Sequence, residues 1–177
     1  MQKRLFLALS FLIVTAVASA QPAAMPSGFR QEFLTHFDQS MSKFIALAEA
    51  MPAEKFSWSP GSGVMSVARV YAHVAHYNFQ YPSANMGAPL PAGVKLDTLE
   101  AVAAKAQVVA LLRQSADFVR TSVRAIPDAR LAATTRLYGR EVQQWAVLFQ
   151  LLAHMNEHLG QSIAYARMNG VVPPWSG

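Results

Sequence analysis

Residues 141–169 read EVQQWAVLFQLLAHMNEHLGQSIAYARMN, and within them Val142 to Asn156 carry no charge at all. Apolar residues recur at spacings of three and four, so the stretch is expected to form one long helix, with Gly170 as its C-terminal stop. A charge-free span in the middle of a soluble helix implies a central, largely enclosed position. That expectation fixes the class as all-α, because a helix of this kind needs other helices to cover it.

Three further helical segments lie upstream. The first runs from about Ser27 to Met51, with Phe29, Phe33, Phe37, Met41, Phe44 and Leu47 on one stripe and Pro52 closing it. A turn-rich link, Ser57-Trp58-Ser59-Pro60-Gly61-Ser62-Gly63, leads to a second segment, Val64 to about Ala84. This segment is apolar nearly all round, Arg69 being its one charge, so it should be buried on most sides. After the Gly- and Pro-bearing loop Asn85 to Lys95, Asp97 and Glu100 have the spacing of a capping box and are expected to open a third helix ending near Ile126, before Pro127. Asp128 to Arg140 is expected to be an irregular bridge, and almost nothing in the chain alternates as a strand would. Four such helices make a four-helix bundle the expected architecture.

Residues 1–20 have the three parts of a secretory signal: Lys3 and Arg4, the uncharged apolar run Leu5 to Ala18, and Ala18-Ser19-Ala20 before Gln21. The expected mature domain is therefore 21–177, and the expected location is periplasmic or secreted; a retained N-terminal anchor is the alternative. The 177 residues less these 20 leave 157, enough for one domain that buries about 70% of its unfolded surface. Lys3 and Arg4 are two of 15 basic residues, so the mature balance is 13 basic against 10 acidic, or +3, too mild to imply a polyanionic partner. No later stretch has the length and apolarity for stable membrane insertion. The absence of cysteine excludes disulfides, thiolate ligands and a thiol nucleophile.

The chemistry-bearing residues are histidines. His154 and His158 are four apart and project from one helix face, one turn above the other. His73 sits in the other helix that excludes charge. A neutral imidazole in an apolar helix must satisfy two ring nitrogens, and one metal bond with one outer acceptor does so for each ring. A buried imidazole bonded to a backbone carbonyl is the simpler account of any one of them. Three imidazoles without thiolate suit zinc or nickel first, with iron, copper and manganese also compatible, and they leave positions open for water or substrate.

The chain resembles the DinB-like proteins. The resemblance rests on Pro60-Gly61 with Ser66-Val67 and Ala72-His73-Val74-Ala75, on His154-Met155-Asn156-Glu157-His158-Leu159-Gly160-Gln161, and on the tail Tyr165 to Pro174. It implies a bundle of up-down-down-up order and a metal held by His73, His154 and His158. Met65 departs from a commonly aromatic position, and Leu159 from a commonly basic or aromatic one. Some relatives look like thiol transferases or isomerases using a low-molecular-weight, mainly intracellular thiol, which an exported chain would meet little of.

Other polar residues have weaker claims. His76 is offset three residues from His73 and is expected at a polar rim, and His36 beside Phe33 and Phe37 is expected to be half-exposed. Glu157 is rotated about 100° from His158 and should face solvent. The His-Glu-x-x-His order of metalloproteases is absent, since Met155 follows His154. Gln161 is expected near the site as an outer partner or a ligand donor, and Gly160 is expected to permit close helix approach. Tyr77 and Asn78 could line the open side, with core packing as the alternative; Tyr138 and Trp175 are candidate pocket walls. Arg113, Arg120 and Arg124 share a face, but Asp117 interrupts them and a solvated face is expected rather than a nucleic-acid surface.

Three function classes follow: a metal-dependent hydrolase or transferase acting on a small molecule, a non-catalytic metal-binding module, and a bundle that has lost its metal. Bundles with this much apolar surface often pair, so a homodimer is an expectation.

Overall fold

A computed structural model describes residues 27–176; the signal segment expected at 1–20 lies outside them. Helix α1, Phe29–Ala50, buries Phe33, Phe37, Met41, Phe44 and Leu47 on the expected stripe. It stops at Met51, which is extended, as a residue before proline prefers. Helix α2, Val67–Gln80, starts later than Val64 because Ser66 caps it, its side chain accepting from the Arg69 N–H at 3.3 Å. The link from α1 supplies more acceptors: Trp58 O takes the Val67 N–H and Phe56 O the Ala68 N–H, both at 2.9 Å. Nine of the 14 residues of α2 are buried, in keeping with its single charge, Arg69.

The expected single helix Asp97–Ile126 is instead two. Helix α3, Leu96–Leu99, is one turn, and α4 occupies Lys105–Ala125. Lys95 stands at the N-cap position of α3 with no side-chain bond, so there is no capping box. Glu100 turns its carboxylate to Arg69 and His73 on α2, which removes the reciprocal contact that the box needs.

The bridge holds more order than expected. Helix α5, Asp128–Leu131, precedes an antiparallel hairpin of β1, Thr134–Leu137, and β2, Arg140–Gln143, paired from Leu137↔Arg140 to Thr134↔Gln143. Its two turn residues, Tyr138 and Gly139, have φ of 50° and 79°, both positive as a tight hairpin turn demands. Helix α6, Gln144–Met168, therefore begins three residues after the expected Glu141, which belongs to β2. Gly170, at φ 75°, ends it: Val171 N–H reaches Ala166 O at 2.9 Å and Gly170 N–H reaches Arg167 O at 3.0 Å.

The four long helices form a ring in which α1 and α2 each pack on α4 and α6, while α1 and α2 face one another across the diagonal. The result is an all-α bundle with a small two-stranded appendage. Helix α6 is less enclosed than its missing charges imply: Val147, Leu148, Leu151 and Met155 are buried, but Phe149 is 64% exposed. The outer face of this span is uncharged without being covered. Gly160 is on an exposed face with nothing within 4 Å of where a Cβ would stand, so it does not serve helix approach.

Arginines lock α4 to α1. Arg113 pairs with Glu49, and Arg120 bonds Asp38 at 2.6 Å and Asp117 at 2.8 Å. These two side chains are thus partners of acidic residues rather than merely solvated. Phe37 is fully buried at the centre of the α1 stripe, so Phe37→Ala should cost about 3–5 kcal/mol, read as a lowered urea midpoint with an unchanged denaturant slope.

Candidate functional site

Helices α2 and α6 bring His73, His154 and His158 together, with one ring nitrogen of each lying within 4.8 Å of the others. His73 and His154 approach one another Nε2 to Nε2 at 3.2 Å. The ring centroids lie 4.6–5.1 Å apart. The cluster is half-buried, His158 being the most enclosed.

Two of the rings are oriented from behind. His73 Nδ1 donates to Glu100 Oε1 at 2.7 Å, because an ionised carboxylate can only accept. The same carboxylate receives Arg69 Nε on Oε2 at 3.3 Å. His158 Nδ1 donates to Gln161 Oε1 at 2.8 Å, and Gln161 Nε2 continues the chain to the Tyr165 hydroxyl at 2.9 Å. With Nδ1 carrying the proton, the Nε2 of His73 and of His158 presents a lone pair. Gln161 therefore takes the first of its two expected roles.

Burial, seconded by His158 and His73, lowers His154 to about 4. Burial likewise lowers His73, against the opposing pull of Glu100. For Glu100, burial pushes the carboxyl up, but its bonds to His73 and Arg69 outweigh this and hold it below the ordinary carboxylate value. His73 and His154 are thus neutral imidazoles near neutral pH, with the Glu100 carboxylate ionised behind His73. Across the 3.2 Å between His73 Nε2 and His154 Nε2, a proton on His154 joins the two rings by a hydrogen bond, and a cation in its place would take both lone pairs. Two nitrogens on one tetrahedral ion, each at about 2.0–2.1 Å, stand about 3.3 Å from each other, so the donor set fits a single small divalent cation.

The other residues singled out in the sequence divide clearly. Tyr77 packs its ring on His73 at 4.8 Å and on His154 at 4.5 Å, and so walls the cluster. Asn78 instead points into the core, donating to Ser115 Oγ at 3.1 Å. His76 is fully engaged elsewhere, Nδ1 with Leu96 O and Nε2 with Gln80 Oε1, each at 3.0 Å. His36 is exposed on α1, and Glu157 is exposed on α6. Trp175 lies under the Lys43 ammonium at 5.9 Å, away from the histidines.

Two functional neighbours were hard to foresee. Glu100 looked like a helix cap, and its true partner is 27 residues away. Tyr81 stands edge-on to His154 at 6.2 Å and shares a hydroxyl–hydroxyl contact with Tyr138 at the hairpin tip. Burial, then the contact with Tyr138, raises Tyr81 far above an ordinary phenol, which keeps its hydroxyl protonated. Pro82 follows directly and cannot donate a backbone hydrogen bond, so α2 widens into a π turn over Tyr81–Asn85. The Ser83 hydroxyl donates to Phe79 O at 2.8 Å and helps to satisfy the freed carbonyls.

The lowered histidines have a consequence for the metal-free protein. The unfolded chain takes up a proton on His154 near the ordinary value of 6.5, whereas the folded chain resists until about 4. Between these values the unfolded state binds more protons, so stability should fall as pH falls through that window. Urea midpoints of chelator-treated protein between pH 7.5 and 4.5 should show this, with a shallower slope in His154→Ala; a midpoint rising toward acid pH would contradict it.

The sequence profile of the DinB superfamily matches residues 36–165. No curated protein matches the chain in sequence. Among solved structures, it is similar to a DinB-like protein from Bacillus cereus ATCC 10987, at 17% identity and a TM-score of 0.69, covering 85% of this chain and 96% of that one. A conserved protein from Enterococcus faecalis superposes at 17% identity and a TM-score of 0.63, over 82% of this chain and 98% of the other. A mycothiol-dependent maleylpyruvate isomerase does so at 18% identity and 0.58, over 77% of this chain and 60% of the other. At these identities the structural likeness concerns the fold, and it agrees with the profile match over more than half the sequence: this chain belongs to the DinB superfamily.

Proposed function

We propose that this chain is an exported metalloprotein that holds one divalent cation on His73, His154 and His158 and uses it as the centre of a hydrolase or transferase reaction. The observation that carries this reading is the convergence of three imidazole nitrogens from α2 and α6, two of them aimed by outer partners. Such an ion, zinc or nickel foremost, supplies a Lewis acid that lowers the pKa of a coordinated water or thiol or polarises a carbonyl.

The protein's own groups would do the rest. Glu100, held by Arg69, keeps His73 in the tautomer that offers Nε2 and increases its basicity. Gln161 does the same for His158 without adding charge. Tyr77 and Tyr81 form an aromatic wall beside His154, suited to a small substrate with a flat or apolar part, and the protonated Tyr81 hydroxyl can donate a hydrogen bond. One solved neighbour is by its name mycothiol-dependent. A thiol is accordingly one class of ligand to try, although export, read from residues 1–20, favours hydrolysis.

A second reading, a metal-stapled bundle without catalysis, draws on one observation: the single carboxylate at the cluster is already engaged by both His73 and Arg69. Exchange of bound water distinguishes the two, since a catalytic centre keeps an open position and a structural one does not.

Mass spectrometry of protein purified without chelator or affinity nickel should find about one equivalent of one metal in the wild type and near none in His73→Ala or His158→Ala. Full metal content in either variant, or none in reconstituted wild type, would remove the assignment. Glu100→Gln should keep the site but weaken metal affinity by about 10–100-fold, measured by competition with a chromogenic chelator.

A further inference from the structure

Away from the histidines, the loop after the π turn and the far end of α4 border a half-open cavity of about 390 Å³. Its walls are largely hydrocarbon: Met86 and Ala88 on the loop, Phe118, Ala125 and Ile126 on α4 and its exit. The volume lies in the range of small-molecule sites, about 300–1,000 Å³. None of the residues lining it belongs to the histidine cluster.

Arg130, on α5, also lines this cavity, and its Nη2 lies against the loop, 3.6 Å from where a Cβ on Gly87 would stand. Its guanidinium has no hydrogen-bond or ion-pair partner among the described residues. Asp128, two positions earlier, is taken by Arg30. Arg30 also caps the end of α4, donating to Val123 O and, at 2.6 Å, to Ile126 O. The carbonyl end of α4 is thereby covered with positive charge, so it does not repel an anion arriving beside Arg130.

We propose that this cavity is a second binding site, for a small monocarboxylate with an unbranched apolar body. The apolar walls take the chain, and Arg130 takes the head group. A single planar guanidinium matches the two oxygens and single charge of a carboxylate, whereas the other polar side chains of the lining, the Thr121 and Ser122 hydroxyls, bring no second positive charge for a phosphate dianion.

Isothermal titration with hexanoate, octanoate and decanoate tests this on the whole protein. Affinity should rise about fourfold for each methylene that enters the cavity. Octanoate should bind about tenfold or more tightly than octanamide, and Arg130→Gln should abolish that preference. Ala125→Trp, at an exposed position on the cavity wall, should block all three acids while leaving the fold intact by circular dichroism. His154→Ala should bind octanoate as the wild type does, because the site is separate from the histidines. Equal binding of octanoate and octanamide, indifference to Arg130→Gln, or no binding of any acid at millimolar concentration overturns the proposal. Loss of octanoate binding in His154→Ala also overturns it, by placing the carboxylate on the histidine cluster.

Discussion

A neutral imidazole lodged between α2 and α6 gives up water at both ring nitrogens, and each nitrogen left without a partner costs about 1–3 kcal/mol. Much of the local architecture follows from meeting that requirement. His76, half-buried, has a backbone carbonyl at one ring nitrogen and the glutamine amide of its own helix at the other. His73 and His158 meet half of the requirement through Glu100 and Gln161, and their other nitrogens converge with that of His154. The difference between His76 and its neighbours lies in what surrounds each ring, since all four sit on similarly apolar helices.

The irregular segments are where this surrounding is set. If α3 ran on into α4 as one rod, Glu100 would be committed to a helix face; the break at 100–104 frees it to turn toward α2. Pro82 interrupts the regular ladder just past Tyr81, and the resulting π turn coincides with the residue that stands over His154. The hairpin carries Tyr138 at its tip to the Tyr81 hydroxyl, with backbone at positive φ that a non-glycine residue adopts only under constraint. Long helices supply the histidine face, and short deviations from helix supply its partners.

This division explains what could be read from the residues alone. The α1 stripe from Phe33 to Leu47, the near-chargeless α2 and the Gly170 stop are local patterns, with periodicity or backbone freedom as their cause, and each appears where the pattern places it. His73 and the His154–His158 pair come together because i,i+4 spacing fixes one face of α6 and burial fixes the inward side of α2. Glu100 escaped because the same acidic residue three positions after Asp97 is equally good as a cap, and only tertiary contact decides between the two roles. The hairpin escaped because β1 and β2 have four residues each, too few for alternation to register. Phe149 shows the converse: a helix face without charge is not thereby covered, because apolar side chains make up a large part of any protein surface.

The electrostatics of the cluster bear on what an ion there could attract. The inward groups are imidazoles with no anionic side chain among them, and the carboxylate behind His73 is shared with Arg69. A divalent cation held there would keep a larger net positive charge than one ligated by thiolates or carboxylates directly. In this half-buried setting that charge would be incompletely screened and would favour the deprotonated form of a ligand bound to it. Tyr81, held protonated, cannot itself supply an anion but can donate to one. Among the described residues the protein side of the cluster is therefore short of negative charge and provided with a donor, so the proposed centre would suit a hydroxide, a thiolate or a substrate oxyanion better than a neutral or cationic ligand.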